Sequence, residues 1–189
     1  MDKAAVFIDG AYLDKLLDQE FGGAQIDYGR FAAMMAKECS ILRTYYYHCP
    51  PYQSNPPREE ERRRTAAKDR FFSALSRLPR FQVRLGKLAF RGTDGAGNPI
   101  FVQKRVDIML GVDMVQMSAT RQIQQAVLLA GDSDFVPAVE AVKQYGVLTV
   151  LWHGPIKSEG RTTVHRELWE ACDDRFVITA ENIRDCARI

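Results

Sequence analysis

Hydrophobic positions along the 189-residue chain alternate between short apolar runs and longer segments with helical spacing. Residues 4–8 are wholly apolar, which is typical of a buried strand, and the leucines that follow at 13, 16 and 17 have helical spacing. Strands are predicted over residues 4–8, 41–47, 81–85, 126–130 and 147–152. Helices are predicted over residues 11–20, 27–38, 58–78 and 104–120, and a further helix follows Asp134 and ends at Tyr145.

Strands separated by helices predict an α/β fold, a three-layer sandwich with a mostly parallel, Rossmann-like central sheet. The expected strand order is 3-2-1-4-5. A turn rich in Gly, Asp and Asn over residues 92–99 predicts a hairpin between residues 87–91 and 100–103. Residues 1–189 are expected to form a single domain, with residues 153–189 as a C-terminal helix-strand-helix extension of it.

Several classes of protein are excluded by the lengths of the apolar runs and by the cysteines. The longest apolar runs span about five residues, whereas a membrane span needs roughly 20 and a secretory signal about 7–15. A cytoplasmic protein without membrane contact is therefore expected. The four cysteines form no C-x-x-C pair and are expected to be buried thiols. The oligomeric state stays open, and a homo-oligomer is compatible with the sequence.

The formal net charge of +2 hides an uneven distribution. Residues 58–105 contain thirteen Lys or Arg against five Asp or Glu, so this segment carries +8 and the remainder −6. Arginine suits bidentate contact with phosphate, which favours a surface that binds a polyanion. The alternative for residues 58–64 is a solvated helix face with internal ion pairs. The candidate RNA-binding residues on this predicted helix are Arg63, Arg64, Lys68 and Arg70.

Two predicted strands end in acidic residues, Asp9 after the first and Asp132 with Asp134 after the fourth. In parallel sheets, function lies at the carboxyl ends of strands where the strand order reverses. Converging carboxylates repel each other unless a cation is present, and oxygen ligands suit Mg²⁺ or Mn²⁺. The alternative for the acids after the fourth strand is a helix cap, for which Ser133 or Asp134 is the expected residue.

Two more acids lie on the predicted helix over residues 104–120. Asp113 shares an otherwise apolar stripe with Leu110 and Met117, and a buried carboxylate is costly unless it is paired or binds a cation. A salt bridge to a nearby arginine is the alternative to a metal. Asp107 lies at the start of the helix, where a negative charge is favourable in any case.

Five segments of the chain carry a family resemblance: residues 6–10 (VFIDG), 45–52, 71–78, 104–113 (KRVDIMLGVD) and 131–135 (GDSDF). In combination, these segments resemble the NYN domain family, and within it the LabA-like group formerly called domain of unknown function 88. The resemblance implies a PIN-like nuclease fold and a metal-dependent endoribonuclease, with RNA as the partner and Mg²⁺ or Mn²⁺ as the cofactor. Many relatives have Asn shortly after the first Asp-Gly, where this chain has Ala11 and Tyr12.

The resemblance also implies a site. Lys104, which opens the middle motif, is expected to meet a phosphate. The acids implied as both catalytic residues and metal ligands are Asp9, Asp107, Asp113, Asp132 and Asp134.

The same residues allow alternative functions. A catalytically silent PIN-like module that binds RNA or protein is the main alternative, and the basic segment disfavours a phosphatase for small substrates. Position 11 is Ala, which excludes the Asp-x-Asp of a haloacid-dehalogenase phosphatase, and no nucleotide phosphate loop is present. The tyrosines at 45, 46, 47 and 52 are candidates for stacking on unpaired bases, with a core strand as the alternative for the run of three.

Overall fold

Six parallel strands form the central sheet of the computed structural model, which describes residues 1–97, 99–156 and 163–188. Each is rich in β-branched, aromatic or other apolar residues that suit a sheet covered on both faces. The strands of this sheet are β1 Lys3–Asp9, β2 Ser40–His48, β3 Phe81–Leu85, β6 Gln125–Leu129, β7 Leu148–His153 and β8 Asp174–Val177. A separate antiparallel hairpin consists of β4 Lys87–Thr93 and β5 Pro99–Lys104.

Helices cover both faces of the sheet. They are α1 Gly10–Glu20, α2 Tyr28–Ala36, α3 Glu59–Ser76, α4 Val106–Ala119, α5 Val136–Gln144, α6 Arg166–Ala171 and α7 Ala180–Asp185. Alternate residues of β1 point to opposite faces, so that Phe7 lies in one apolar cluster with α4 and α5, and Val6 lies in the other with α1, α2 and α3. Asp27 begins α2 by accepting a hydrogen bond from the backbone N–H of Arg30.

The predicted fold class is confirmed. The sheet order is β3-β2-β1-β6-β7-β8, so the five predicted strands lie in the expected sequence and the sheet differs by a sixth strand, β8, at its edge. The predicted hairpin is present, although residue 98 of its turn lies outside the described residues. The described part of the C-terminal extension contains α6, β8 and α7, and residues 157–162 and 189 lie outside it.

Two smaller expectations concern the cysteines and membrane spans. All four cysteines are free thiols, and Cys49, Cys172 and Cys186 are buried whereas Cys39 is partly exposed. In the described part of the chain, no helix combines the length and the apolar composition needed to cross a membrane.

Candidate active site

The acidic residues that follow β1 and β6 come to the same edge of the sheet. The two strands are parallel neighbours, with Ile8 beside Leu129, so the chain leaves both of them in the same direction. Asp9 is the last residue of β1, and Asp132 lies three residues beyond the end of β6. The predicted meeting of these acids therefore follows from the pairing of their strands.

Asp9 caps α1 and is held largely out of water. Its Oδ1 accepts hydrogen bonds from the backbone N–H groups of Ala11 and Tyr12, both at 3.1 Å. Burial raises the pKa of Asp9 to about 6, and the negative charge of Asp107 adds to the rise, although the two backbone hydrogen bonds oppose it. The ionised form of Asp9 is therefore destabilised in the protein, as expected for a carboxylate that is largely removed from water.

Asp107 lies in the first turn of α4, on the protein surface. Its pKa is raised by partial desolvation and then by the negative charges of Asp132 and Asp134. Asp132 precedes a short 3-10 turn, Ser133–Phe135, and Asp134 lies within it; both acids are exposed. Asp9, Asp107, Asp132 and Asp134 thus form one electrostatically connected group, which we call the acidic edge.

The cap of this turn differs from the expected one. Asp132 is the capping residue, because its backbone is extended and its Oδ1 accepts a hydrogen bond from the N–H of Asp134 at 3.1 Å. The expectation that Ser133 or Asp134 would cap was wrong, because the turn begins one residue earlier than predicted. Capping uses one oxygen of Asp132 and is compatible with a ligand on the other.

The acidic edge fits a divalent cation by its chemistry and does not form a closed cage. Among the described residues, no three Asp, Glu, His or Cys side chains are grouped closely enough to hold a metal ion together. Magnesium is usually bound through one or two carboxylates, with water and substrate phosphates completing its shell. Oxygen ligands on neighbouring strands meet that requirement, so the residues present suit Mg²⁺ or Mn²⁺ shared with a substrate.

Asp113 lies apart from the acidic edge, six residues further along α4, which is about 9 Å along the helix axis. Its Oδ2 accepts a hydrogen bond from the Tyr47 hydroxyl at 2.9 Å, and its Oδ1 accepts one from Arg84 Nη2 at 3.1 Å. Only 9% of the residue is exposed. The alternative of a salt bridge to a nearby arginine describes these contacts, and both oxygens have a protein partner.

A second polar cluster lies beside the acidic edge and was missed in the sequence. Asp14 of α1 contacts Nε2 of His48 at 3.1 Å and accepts a hydrogen bond from Lys68 Nζ of α3 at 2.6 Å. Burial pushes the pKa of Asp14 upward, but the hydrogen bonds from His48 and Lys68 outweigh it and hold the pKa below its usual range. The cluster ties α1, β2 and α3 together, and the positive form of His48 lowers the pKa of Asp9.

The candidate RNA-binding residues of α3 are mostly engaged within the protein. Arg63 pairs with Glu59 at 3.1 Å, Arg64 donates to the backbone oxygen of Tyr52, and Lys68 pairs with Asp14. Arg70 is exposed on the same helix, and Lys104 is exposed at the end of β5. Internal pairing, the alternative weighed for the start of this helix, therefore describes Arg63, whereas Lys104 faces solvent near Asp107.

The tyrosine run of β2 belongs to the core. Tyr45, Tyr46 and Tyr47 are 9%, 0% and 0% exposed, and the ring of Tyr45 stacks on Phe7 with centroids 5.4 Å apart. Of the two alternatives for this run, the core strand is confirmed and stacking on bases is excluded, because the sheet is covered on both faces. Tyr52 lies outside the sheet and packs against the hairpin instead.

The glycines of the two acidic motifs permit close packing around the site. A Cβ on Gly10 would lie 2.5 Å from Tyr46 Cζ and 2.7 Å from the backbone oxygen of Tyr47. A Cβ on Gly131 would lie 2.5 Å from Tyr12 Cε2. The Tyr12 hydroxyl also accepts a hydrogen bond from the N–H of Gly154 at 3.0 Å. Tyr12 therefore joins α1 to the ends of β6 and β7 in this chain.

Comparison with known proteins agrees with this fold. The sequence model of the NYN domain family matches residues 3–180, nearly the whole chain. The protein therefore belongs to the NYN domain family, whose fold is of the PIN-like nuclease type, and the resemblance seen in its motifs is confirmed.

No curated protein matches the sequence. Among solved structures, a protein of unknown function from Vibrio parahaemolyticus is similar in fold, with a TM-score of 0.63. It is 19% identical in sequence, and the alignment covers 94% of this chain and 93% of that one. At this identity the likeness extends to the fold alone.

Proposed function

We propose that the protein is a metal-dependent ribonuclease that hydrolyses phosphodiester bonds at the acidic edge. The observation that carries this proposal is the convergence of acids at the carboxyl ends of two neighbouring parallel strands. There, burial and Asp107 raise the pKa of Asp9, while partial burial, Asp132 and Asp134 raise that of Asp107. Within the described residues, none of these four acids has a Lys or Arg partner in an ion pair. A site that concentrates uncompensated carboxylates is suited to a bound cation.

Each acid has a distinct place in this mechanism. Asp9 and Asp132, at the ends of neighbouring strands, would hold the cation, which supplies a Lewis acid for the phosphate and lowers the pKa of a bound water. Asp107 and Asp134, which are exposed, would orient the attacking water and accept its proton. Lys104 and Arg105 border the groove beside Asp107 and Asp134 and would contact the substrate phosphate.

Asp113 has a supporting part in this proposal. Its contacts with Tyr47 and Arg84 fix the middle of α4 against β2 and β3, and the first turn of that helix carries Asp107. We therefore assign Asp113 to positioning Asp107. Its contacts do not support the role of metal ligand that the family resemblance implies for it.

The test is cleavage of an end-labelled RNA with Mn²⁺, with Mg²⁺ and with EDTA, alongside a DNA of the same sequence. We expect Asp132→Asn to lower the metal-dependent cleavage rate by about 100-fold or more, because it removes a ligand charge. Its urea midpoint should stay near that of the wild type, since Asn also caps a turn well. Glu140→Gln, at an exposed acid on α5, is the matched control and should leave the rate unchanged. A folded and fully active Asp132→Asn protein would refute the assignment.

The alternative is a PIN-like module that binds RNA or a protein without cleaving. The spacing of the acids favours it, since no three metal-binding side chains group together among the described residues. Titrating Mn²⁺ with labelled RNA separates the two functions. Binding without product at any metal concentration would support the silent module, whereas product that disappears with EDTA supports the nuclease.

A further inference from the structure

The β4–β5 hairpin projects from the same edge of the sheet as the acids. At its start, the N–H of Gly86 donates to the backbone oxygen of His48, the last residue of β2, at 2.8 Å. At its end, Lys104 lies only three residues before Asp107. The strands are seven and six residues long, so the hairpin extends roughly 20 Å from this base. It does not join the central sheet.

The hairpin has two chemically different faces. Directly opposed residues of an antiparallel pair share a face, and Phe90 lies opposite Phe101. The next pair, Ala89 and Val102, points the other way. Lys87 and Lys104, which are also opposite each other, lie on that second face. One face is thus aromatic and the other combines lysines with aliphatic side chains.

The aromatic face is fixed by the proline-rich segment between β2 and α3. The ring of Tyr52, in that segment, lies 4.7 Å from Phe101 and 6.2 Å from Phe90 between centroids. Phe90 nevertheless remains 49% exposed. An aromatic ring that is held in place by two others and still faces solvent is a suitable platform for a flat, apolar ligand.

Among the described residues, the cations of the hairpin have no acidic partners. Lys87, Arg91, Lys104 and Arg105 are all exposed, and none of them takes part in an ion pair within the described parts of the chain. On α3, by contrast, Arg62 and Arg63 share Glu59. In the described structure, the basic excess is therefore partly compensated by ion pairs on α3 and uncompensated on the hairpin.

We propose that the hairpin, together with Tyr52, is an arm that binds single-stranded RNA and delivers it to the acidic edge. The RNA passes around the hairpin, so that its phosphates contact the four exposed cations, two of which lie on the face opposite to Phe90, while an unpaired base stacks on Phe90. Charge complementarity selects a polyanion over a protein partner, and stacking on an exposed ring requires a base that is free of its complement. The choice of RNA as the polyanion rests on the proposed function.

The experiment measures binding in EDTA, so that no cleavage interferes, by fluorescence anisotropy of a labelled single-stranded RNA at several salt concentrations. The double variant Lys87→Gln/Arg91→Gln should weaken binding and reduce the slope of log K against log salt by about 1.4, since each lost phosphate contact contributes about 0.7. The matched control Arg62→Gln/Arg63→Gln removes the same charge from α3 and should leave the slope near that of the wild type. Equal effects of the two double variants would overturn the proposal.

A second pair of variants tests stacking. Phe90→Ala should weaken binding of single-stranded RNA roughly tenfold, with little effect on a duplex of the same sequence. Phe90→Trp should retain the affinity, because the larger ring still stacks. Circular dichroism and a melting curve check that each variant is folded. If Phe90→Ala instead converts a dimer to a monomer in sedimentation, without changing RNA affinity, the face is an interface between two copies and the proposal is wrong.

The outcomes separate this arm from the nuclease proposal. RNA binding that depends on the hairpin, with no cleavage under any metal, would refute the nuclease and leave the arm intact. Metal-dependent cleavage that proceeds with wild-type binding in both hairpin variants would refute the arm and leave the nuclease intact.

Discussion

Two carboxylates on α4, six residues apart, have opposite surroundings. Asp113 is buried, and each of its oxygens accepts a hydrogen bond, one from Arg84 and one from Tyr47. Asp107 is exposed, and the charges that act most strongly on its pKa are those of two other acids. The first carboxylate is compensated inside the protein, and the second is destabilised by two other acids.

This difference shows which acids are available to a ligand. A compensated buried carboxylate supports the fold, and removing its partner leaves a charge that water cannot reach. A carboxylate among other carboxylates is unfavourable in the free protein and becomes favourable when a cation arrives. Judged by burial alone, Asp113 would be the candidate ligand residue of α4. The charged groups near each carboxylate indicate Asp107 instead.

The largest effect on stability is expected from Arg84→Met. It leaves Asp113 buried without its cation, and such losses cost about 3–5 kcal/mol of unfolding free energy. The Arg84 side chain is 39% exposed, so we expect a value near the lower end, about 3 kcal/mol, in urea denaturation. Asp107→Asn should change the unfolding free energy little or raise it, because it removes repulsion.

The double variant Arg84→Met/Asp113→Asn provides the control for this comparison. It should be more stable than Arg84→Met alone, since the isolated charge is gone. If Arg84→Met and Asp107→Asn destabilise the protein equally, the distinction between the two acids is wrong.

The next-largest effect is on the pH dependence of the unfolding free energy, and it arises from Asp9. Its pKa is raised from 3.8 to about 6 in the folded protein, so the folded state binds more protons than the unfolded state between these values. Unfolding free energy should therefore fall as pH rises through this range, by up to about 3 kcal/mol. Asp9→Asn removes this slope and should be more stable than the wild type at pH 8.

The measurement is urea denaturation in EDTA at pH 4 and pH 8 for both proteins. Asn keeps an oxygen for the cap of α1, so the comparison isolates the charge. An Asp9→Asn protein with the same stability as wild type at pH 8 would show that Asp9 is not destabilised by its surroundings. Added Mn²⁺ should stabilise the wild type and have less effect on the variant.

The smallest effect is expected from Lys68→Met on α3. Its ammonium group pairs with Asp14, and the pair is only partly buried, so the loss should be about 1 kcal/mol. The salt dependence of RNA binding should stay unchanged, because this cation already has an acidic partner. A reduced slope of log K against log salt would indicate that α3 also contacts the RNA. The contrast between α3 and the hairpin would then be smaller.

The sequence predicted the elements that depend on local pattern. The apolar runs gave the five main strands, and the acids that directly follow two of them came together because parallel neighbours end at one edge. The hairpin was also predicted, from its turn. The sixth strand, β8, is only four residues long, and its addition to the sheet depends on pairing with β7.

Contacts between distant segments could not be predicted from the sequence. Asp14, His48 and Lys68 lie on three elements with no common spacing, and only the packing of α1 and α3 around β2 joins them. The pairing of Asp113 with Arg84 has the same origin, although a salt bridge was one of the two alternatives. The tyrosine run was ambiguous because a covered strand and an exposed stacking surface have the same residue types.

The caps formed by Asp9 and Asp132 limit how a metal ion can be held. In each residue Oδ1 is engaged with backbone N–H groups, which leaves Oδ2 for coordination. Asp9 and Asp132 would each offer one oxygen to a bound Mg²⁺, and water, Asp107, Asp134 and the substrate would complete its shell. Cation and RNA would then bind with positive cooperativity, each raising the affinity of the protein for the other by the same factor.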